Sequence, residues 1–220
     1  MNVFIVHAHP EPRSFCSALK DLAAEEFRGK GHEVRISDLY AMNFNPIGGQ
    51  HDFKKTANGD YFKYQSEQVN AYQHDLYAAD LKAEMDKLVW ADLVIFSFPL
   101  WWFSVPAILK GWVDRVFAMG FAYGAGKGVY ENGVFRGKRS MALFTTGGPE
   151  AAYGPTGKNG TMDQTLFPIH HGMLYFVGMS VIEPFIAYSP ARLSDEERKK
   201  LLGKLREKIN NLENEPLVYG

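Results

Sequence analysis

The 220-residue sequence contains a single cysteine, Cys16, so no disulfide can form within the chain, and this usage favours a reducing compartment. Net charge is nearly absent, with 24 Lys and Arg set against 25 Asp and Glu. That balance excludes the basic footprint of a nucleic-acid binder. It also excludes the acidic surface with which small one-electron carriers steer towards basic partners. No uncharged apolar run is long enough to span a bilayer, and "MNVFIVHAHP" lacks the basic segment of a secretory leader. Membrane insertion is therefore not expected, and the cytoplasm is the expected location. Glycine is missing where it would be most informative. The first apolar run leads into "HAHPEPRSF" (7–15), a turn with two histidines, two prolines, an arginine and a serine but no glycine.

The hydrophobic pattern alternates short apolar runs with amphipathic segments. "NVFIVHA" (2–8), "HEVRISDL" (32–39), "DLVIFSF" (92–98), "RSMALFTTGG" (139–148, with its exit loop) and "MSVIEPFIAY" (179–188) predict five strands. Between them, Ser14 is placed to cap a helix carrying Phe15, Ala18, Leu19, Leu22, Ala23 and Phe27 on one face. Residues 78–90 return to helical spacing, Pro106 opens a further helix, and 165–177 reads as a short apolar helix despite Pro168. The last helix (194–212) starts with a Ser194–Glu197 capping box. Residues 40–77 read as a long irregular connection, and 121–138 as a glycine-punctuated excursion. Strands alternating with helices predict one α/β domain over 1–220, with a doubly wound five-stranded parallel sheet and helices on both faces. Ligands of such sheets bind beyond the carboxyl ends of the strands, here His9, Pro99–Phe103 and Thr145–Gly148.

Three loops at that edge carry chemistry. A helix start can bind phosphate without glycine, because its free N–H groups and dipole favour an anion. The amides of Phe15 and Cys16, the Ser14 hydroxyl and the His9 ring are the candidate donors; a capped helix beside a loop histidine is the plainer alternative. "PLWWFSVP" (99–106) sets Trp101, Trp102 and Phe103 at the mouth of a central strand, where large aromatics make a wall for a flat ligand or simply pack the core. "TTGGPEAAYGPTGKNG" (145–160) adds Gly147 and Gly148, which allow close backbone approach, and Tyr153, which presents a hydroxyl. An anion site, an aromatic wall and a donor-bearing loop together suggest a flavin.

"AHPEPRSF", "SDLYAMNFNP", "ADLVIFSFPLWWFSVPAILKGWVDRVF" and "TTGG…Y" resemble the flavodoxin-fold quinone reductases, NAD(P)H dehydrogenases of the mammalian cytosolic type. The similarity runs from residue 3 to about 217. It implies FAD, a homodimer, and two-electron ping-pong reduction of quinones by a dihydronicotinamide. By position it implies that His9, Ser14, Phe15 and Cys16 hold the diphosphate and adenosine side. Pro99, Leu100, Trp101, Trp102 and Phe103 would line the isoalloxazine, and Thr145, Thr146, Gly147, Gly148 and Tyr153 would contact its polar edge. Arg198 would complete the adenosine site. Tyr123 and Phe176 would shape the substrate cavity from across the dimer, together with Phe103, Gly148 and Asn159.

The chain departs from that family at several positions. Trp101 replaces a smaller polar residue, Lys63 a glutamine, and Ala191 a glutamate present in one relative. Asn159 stands where one mammalian form has a titrating histidine paired with the tyrosine. The other form has asparagine and prefers smaller dihydronicotinamides to NAD(P)H. Tyr153 and Asn159 are thus the expected catalytic pair, with Asn159 unable to act as an acid. That second form also carries a metal on two histidines and a late cysteine, but His171 and Tyr175 occupy those positions here and the late cysteine is absent, so no metal is expected. Two other functions stay open on this fold: an FMN-dependent reductase of nitro, azo or free-flavin substrates, and an ancillary regulatory subunit of a potassium efflux system.

Overall fold

The computed structural model describes residues 1–220. Strands β1 (Asn2–His7), β2 (Glu33–Asp38), β3 (Leu93–Pro99), β4 (Arg139–Thr146) and β5 (Ser180–Tyr188) are joined by a sixth, β6 (Leu217–Tyr219). The sheet order is β2-β1-β3-β4-β5-β6. The first five strands pair in parallel and β6 closes one edge antiparallel, so the expected five-stranded parallel sheet is a six-stranded mixed one. β6 holds only three residues, two of them exposed, and therefore carries no apolar run to betray it.

β3 is buried along its whole length, as the continuous run in "LVIFSFP" requires of a central parallel strand. Helices α1 (Phe15–Gly29) and α6 (Asp195–Asn210) cover one face of the sheet, packing Leu19, Phe27, Leu205 and Ile209 against Val3, Ile5, Met141 and Leu143. α3 (Ala79–Trp90), α4 (Ala107–Val116) and α5 (Met162–Ile169) build a larger core on the other face, where Trp112 meets Phe4 and Phe96. The Ser14 and Ser194 caps form as expected, each accepting from the backbone N–H three residues on. Pro106 takes the cap position itself, and Gly31 (φ +77°) supplies the left-handed turn after α1.

Two connections differ from the sequence reading. Residues 40–77 contain a helix, α2 (Tyr64–His74), that turns the polar side chains of Glu67 and Gln68 inward. The Glu67 carboxylate accepts from the amides of Ala57 and Asn58, and the Gln68 side chain accepts from the amide of Met119. Buried Arg115 on α4 clamps the same connection, donating to Asp52 (2.8 Å), the Asn45 carbonyl (2.7 Å) and Asp80 (3.2 Å). One turn earlier, a Cβ on Gly111 would lie 2.1 Å from the Pro46 carbonyl oxygen, so only glycine lets the connection lie on the helix. The second difference is at 165–177: α5 accommodates Pro168 and then widens into a π-helical turn, His170–Tyr175.

Candidate functional site

The loop between β1 and α1 is locked from below. His7 is fully buried, with Nδ1 2.9 Å from Ser97 Oγ and Nε2 3.1 Å from Ser17 Oγ. Burial lowers its pKa to about 4, so the ring is neutral and acts as a hydrogen-bond bridge between β1, β3 and α1. The Ser17 hydroxyl lies 2.9 Å from Ser14 Oγ and donates to the Glu11 carbonyl (3.1 Å), which holds the loop against the helix start. Ser14 accepts from the Ser17 amide (3.1 Å), leaving the amides of Phe15 and Cys16 without an intrahelical partner. The Cys16 thiol turns inward, 4.0 Å from Ser97 Oγ, and burial pushes its pKa up to about 12. Cys16 therefore offers its amide, not a nucleophile.

His9 stands at the mouth of this loop. Its Nδ1 lies 3.0 Å from the Glu11 amide nitrogen and 3.1 Å from the Glu11 carbonyl oxygen, so the ring is anchored through Nδ1 and Nε2 has no partner within the chain. Burial lowers its pKa, so the ring is neutral near pH 7. Arg13 and Arg198 bring positive charge to the same cleft. Arg198 is fixed by its bonds to the carbonyls of Pro190 (3.1 Å) and Leu193 (2.6 Å) and by an ion pair with Asp195. Arg13 was not among the sequence candidates, although a cation just before the cap of an anion-binding helix was the available signal.

After Pro99 the chain makes a two-residue hairpin. The Trp101 and Ser104 amides each donate to the other's carbonyl at 3.0 Å, and Trp102 (φ +50°) and Phe103 (φ +57°) form its corner. Left-handed backbone at both corner positions is the type I′ turn, which normally selects Asn-Gly. Two bulky aromatics there are strained. They are also presented outward: Trp102 is 95% exposed and Phe103 50%, with Trp101 41% exposed beside the His9 ring. The core-packing alternative for these three rings is thereby excluded.

The third loop leaves β4 through Thr145 and Thr146. The Ser189 amide donates to the Thr146 carbonyl (2.9 Å), the Ser189 hydroxyl to the Gly147 carbonyl (3.1 Å), and the Thr146 hydroxyl to the Gly148 carbonyl (2.7 Å). A Cβ on Gly147 would meet nothing within 4 Å, whereas one on Gly148 would lie 3.1 Å from the Tyr153 ring and 3.5 Å from Asn159 Nδ2. Gly148, Tyr153 and Asn159 are thus one cluster. Tyr153 also faces Phe103 edge-on, 6.5 Å between ring centres, which joins this loop to the aromatic turn.

These elements frame a cleft of about 660 Å³ lined by His9, Ser14, Phe15, Cys16, Pro99, Leu100, Trp101, Thr145, Thr146, Gly147 and Arg198, all of them sequence candidates. Arg13, Ala18, Pro190 and Ala191 complete the lining. Trp102, Phe103, Gly148, Tyr153 and Asn159 stand beyond that volume. Tyr123 and Phe176 do not line the cleft of their own chain. They pack on each other (5.9 Å between ring centres), and Phe176 meets Tyr130. His171 and Tyr175 lie in the same aromatic cluster, with His171 stacked on Phe167 and Tyr175 on Tyr219. Lys63 borders a separate depression with Gln65 and Met119.

The chain matches the family model for the flavodoxin-like fold over residues 1–211. It is 43% identical over 217 residues to the ribosyldihydronicotinamide dehydrogenase (quinone) of Homo sapiens, covering 98% of this chain and 94% of that protein. To the NAD(P)H dehydrogenase (quinone) 1 of Rattus norvegicus it is 41% identical over 216 residues, covering 98% and 78%. A crystal structure of a candidate quinone reductase from Klebsiella pneumoniae superimposes with a TM-score of 0.95 at 41% identity, over 99% of this chain and 87% of the other.

Proposed function

This chain belongs to the flavodoxin-like family that includes the mammalian quinone dehydrogenases, and we propose that it is an FAD-dependent oxidoreductase passing a hydride from a dihydronicotinamide to quinones, active as a homodimer. One observation carries the reading. A single sheet edge brings together an anion-binding helix start, an outward aromatic turn and a loop of unpartnered donors around a cleft of about 660 Å³, a volume suited to a cofactor.

The residues present fit a flavin dinucleotide. The amides of Phe15 and Cys16, the Ser14 hydroxyl and the His9 ring would hold a diphosphate, with Arg13 and Arg198 supplying countercharge. Pro190, Ala191 and Arg198 also line the cleft, and an adenosine held there would favour FAD over FMN. When bound, the flavin supplies a two-electron carrier that takes hydride from the donor and delivers it to the acceptor. The chain's own task is to stabilise the charge that develops at the ring's polar edge. The Tyr153 hydroxyl and the amides of Gly147 and Gly148 would be the donors to that edge. Asn159 Nδ2 adds a fourth donor, and it holds its hydrogen at every working pH.

The exposed turn supports the homodimer. A 95%-exposed Trp102 and a 71%-exposed Tyr61 leave aromatic surface that one chain does not cover. Phe62 and Tyr64, by contrast, are covered within the chain by Phe53. A second copy would bring its Tyr123–Phe176 pair over the cleft.

Three measurements test the reading. Denaturing the purified protein is expected to release about one FAD per chain; FMN alone would overturn the cofactor assignment. Turnover is expected with NADH, NADPH or dihydronicotinamide riboside against a quinone panel, and failure with all three donors would overturn the activity. A monomeric mass at micromolar concentration with full turnover would remove the dimer.

A further inference from the structure

Ser189 sits at the end of β5, buried, in a left-handed conformation (φ +47°, ψ +44°) that serine rarely adopts. Its two donors are spent on two consecutive carbonyls of the neighbouring loop. The amide binds the Thr146 carbonyl at 2.9 Å, and the hydroxyl binds the Gly147 carbonyl at 3.1 Å. In a trans peptide the C=O and the following N–H point in opposite directions. Drawing both carbonyls towards β5 therefore turns the Gly147 and Gly148 amides the other way. In the sheet, β4 lies between β5 and β3, and the Leu100 amide of the β3 exit donates to the Thr145 carbonyl (2.8 Å). The two glycine amides are thus aimed to the side where the aromatic turn begins. Neither has a hydrogen-bond partner within the chain. The Thr146 hydroxyl, bound to the Gly148 carbonyl at 2.7 Å, completes the brace from inside the loop.

We propose that Ser189 is a positioning residue: its strained backbone and hydroxyl hold the Gly147 and Gly148 amides as a fixed donor pair for the anionic edge of the bound flavin. This rests on the flavin reading above. The Ser189 carbonyl also accepts from the Arg192 amide (2.9 Å) at the start of the turn Pro190–Arg192, but its two donors go only to the loop carbonyls, and the strain serves the direction those bonds give the peptides. The hydroxyl controls the Gly147–Gly148 peptide, because the other bond comes from the backbone and survives substitution.

The test uses full-length protein carrying Ser189→Ala and Ser189→Gly. Alanine removes the hydroxyl and keeps the left-handed strain, whereas glycine removes both. If the role is positioning, both variants lower the midpoint potential of the bound flavin, glycine at least as much as alanine because it also frees the backbone, and slow its reduction about tenfold, below the loss expected for deleting a donor outright. Ser189→Gly should melt at or above Ser189→Ala. A purely structural role moves stability alone: alanine, which keeps the wild-type strain, and glycine, which relieves it, would differ in melting temperature while both keep the wild-type potential. That result, or a lowered potential in alanine with a wild-type potential in glycine, overturns the proposal. Titration of wild-type apoprotein with FAD separates the two levels. Failure of the wild type to bind flavin removes the underlying reading and this proposal together. Wild-type binding with an unchanged potential in the variants removes the role of Ser189 alone.

Discussion

Replacing Trp102 with asparagine should make the flavin-free protein more stable. The side chain is 95% exposed, so its removal forfeits little burial. Its backbone, at φ +50°, is in the left-handed region, which costs an ordinary L-residue about 1–2 kcal/mol and which asparagine tolerates. The net expectation for Trp102→Asn is a gain of about 1 kcal/mol, or a rise in Tm of about 2–4 °C for a chain of this size. Adding Phe103→Gly completes the Asn-Gly pair that the turn prefers. That second change relieves a further left-handed residue at φ +57°. It also gives up the edge-on contact with Tyr153, worth about 0.5–1.5 kcal/mol, and adds the about 0.5–1 kcal/mol of backbone entropy that glycine loses on folding. The double variant should therefore melt close to the single one. On the proposed function flavin affinity should fall in both, since these rings would continue the aromatic wall that Trp101 begins at the cleft. Differential scanning calorimetry of apoprotein, paired with flavin titration, measures the two effects. A Trp102→Asn apoprotein melting at or below wild type would show that the turn is relaxed, and the idea of strain held at the site would be wrong.

Other expectations concern chemistry and acid stability. Tyr153→Phe should slow flavin reduction roughly 10²-fold, and Asn159→His should introduce a pH dependence between about pH 6 and 8; stopped-flow bleaching would show both, and a wild-type rate with a flat profile would exclude both residues. Ser14→Ala should lower stability and flavin retention by about 0.5–2 kcal/mol, read by urea denaturation and flavin titration. The pKa values of His7 and His170 are lowered by burial from 6.5 to about 4. Above pH 6.5 both are neutral in either state, and their contribution is intact. Between pH 6.5 and 4 the unfolded chain binds protons that the native one refuses, so stability falls by about 3 kcal/mol per histidine. His170 Nε2 has no hydrogen-bond partner, so His170→Leu should remove its share of that loss; urea midpoints from pH 7 to 4 that fall as steeply in the variant would contradict the assignment.

Five strands and the two cap serines were legible because each rests on local chemistry: an apolar run, or a hydroxyl before a periodic segment. α2 was not, because the residues it buries are Glu67 and Gln68 rather than an apolar stripe. Their partners lie about ten and fifty residues away, and no local pattern encodes them. β6 was missed for its brevity, and the π-helical turn because 3.6-residue spacing runs on through it. At the site, residue types signalled an anion end and an aromatic wall. Backbone direction did not show: "WWFS" does not look like a type I′ turn, and nothing in "YSP" marks Ser189 as left-handed. Tyr123 and Phe176 came only from family resemblance, and the single chain keeps them away from its cleft.

Gly111 and Arg115 lie four residues apart, hence on one side of α4, and together they rivet the connection between β2 and α3 to the helix. The glycine lets backbone touch backbone, and the guanidinium ties Asn45, Asp52 and Asp80 at the next turn. A long connection normally brings an association penalty, because each long side chain and loop residue ordered at contact forfeits about 0.5–1.5 kcal/mol of freedom. Here that ordering is in place at Asn45, Pro46 and Asp52 within the single chain. Docking against the clamped part of this connection should accordingly resemble rigid-body association, with small backbone displacement there.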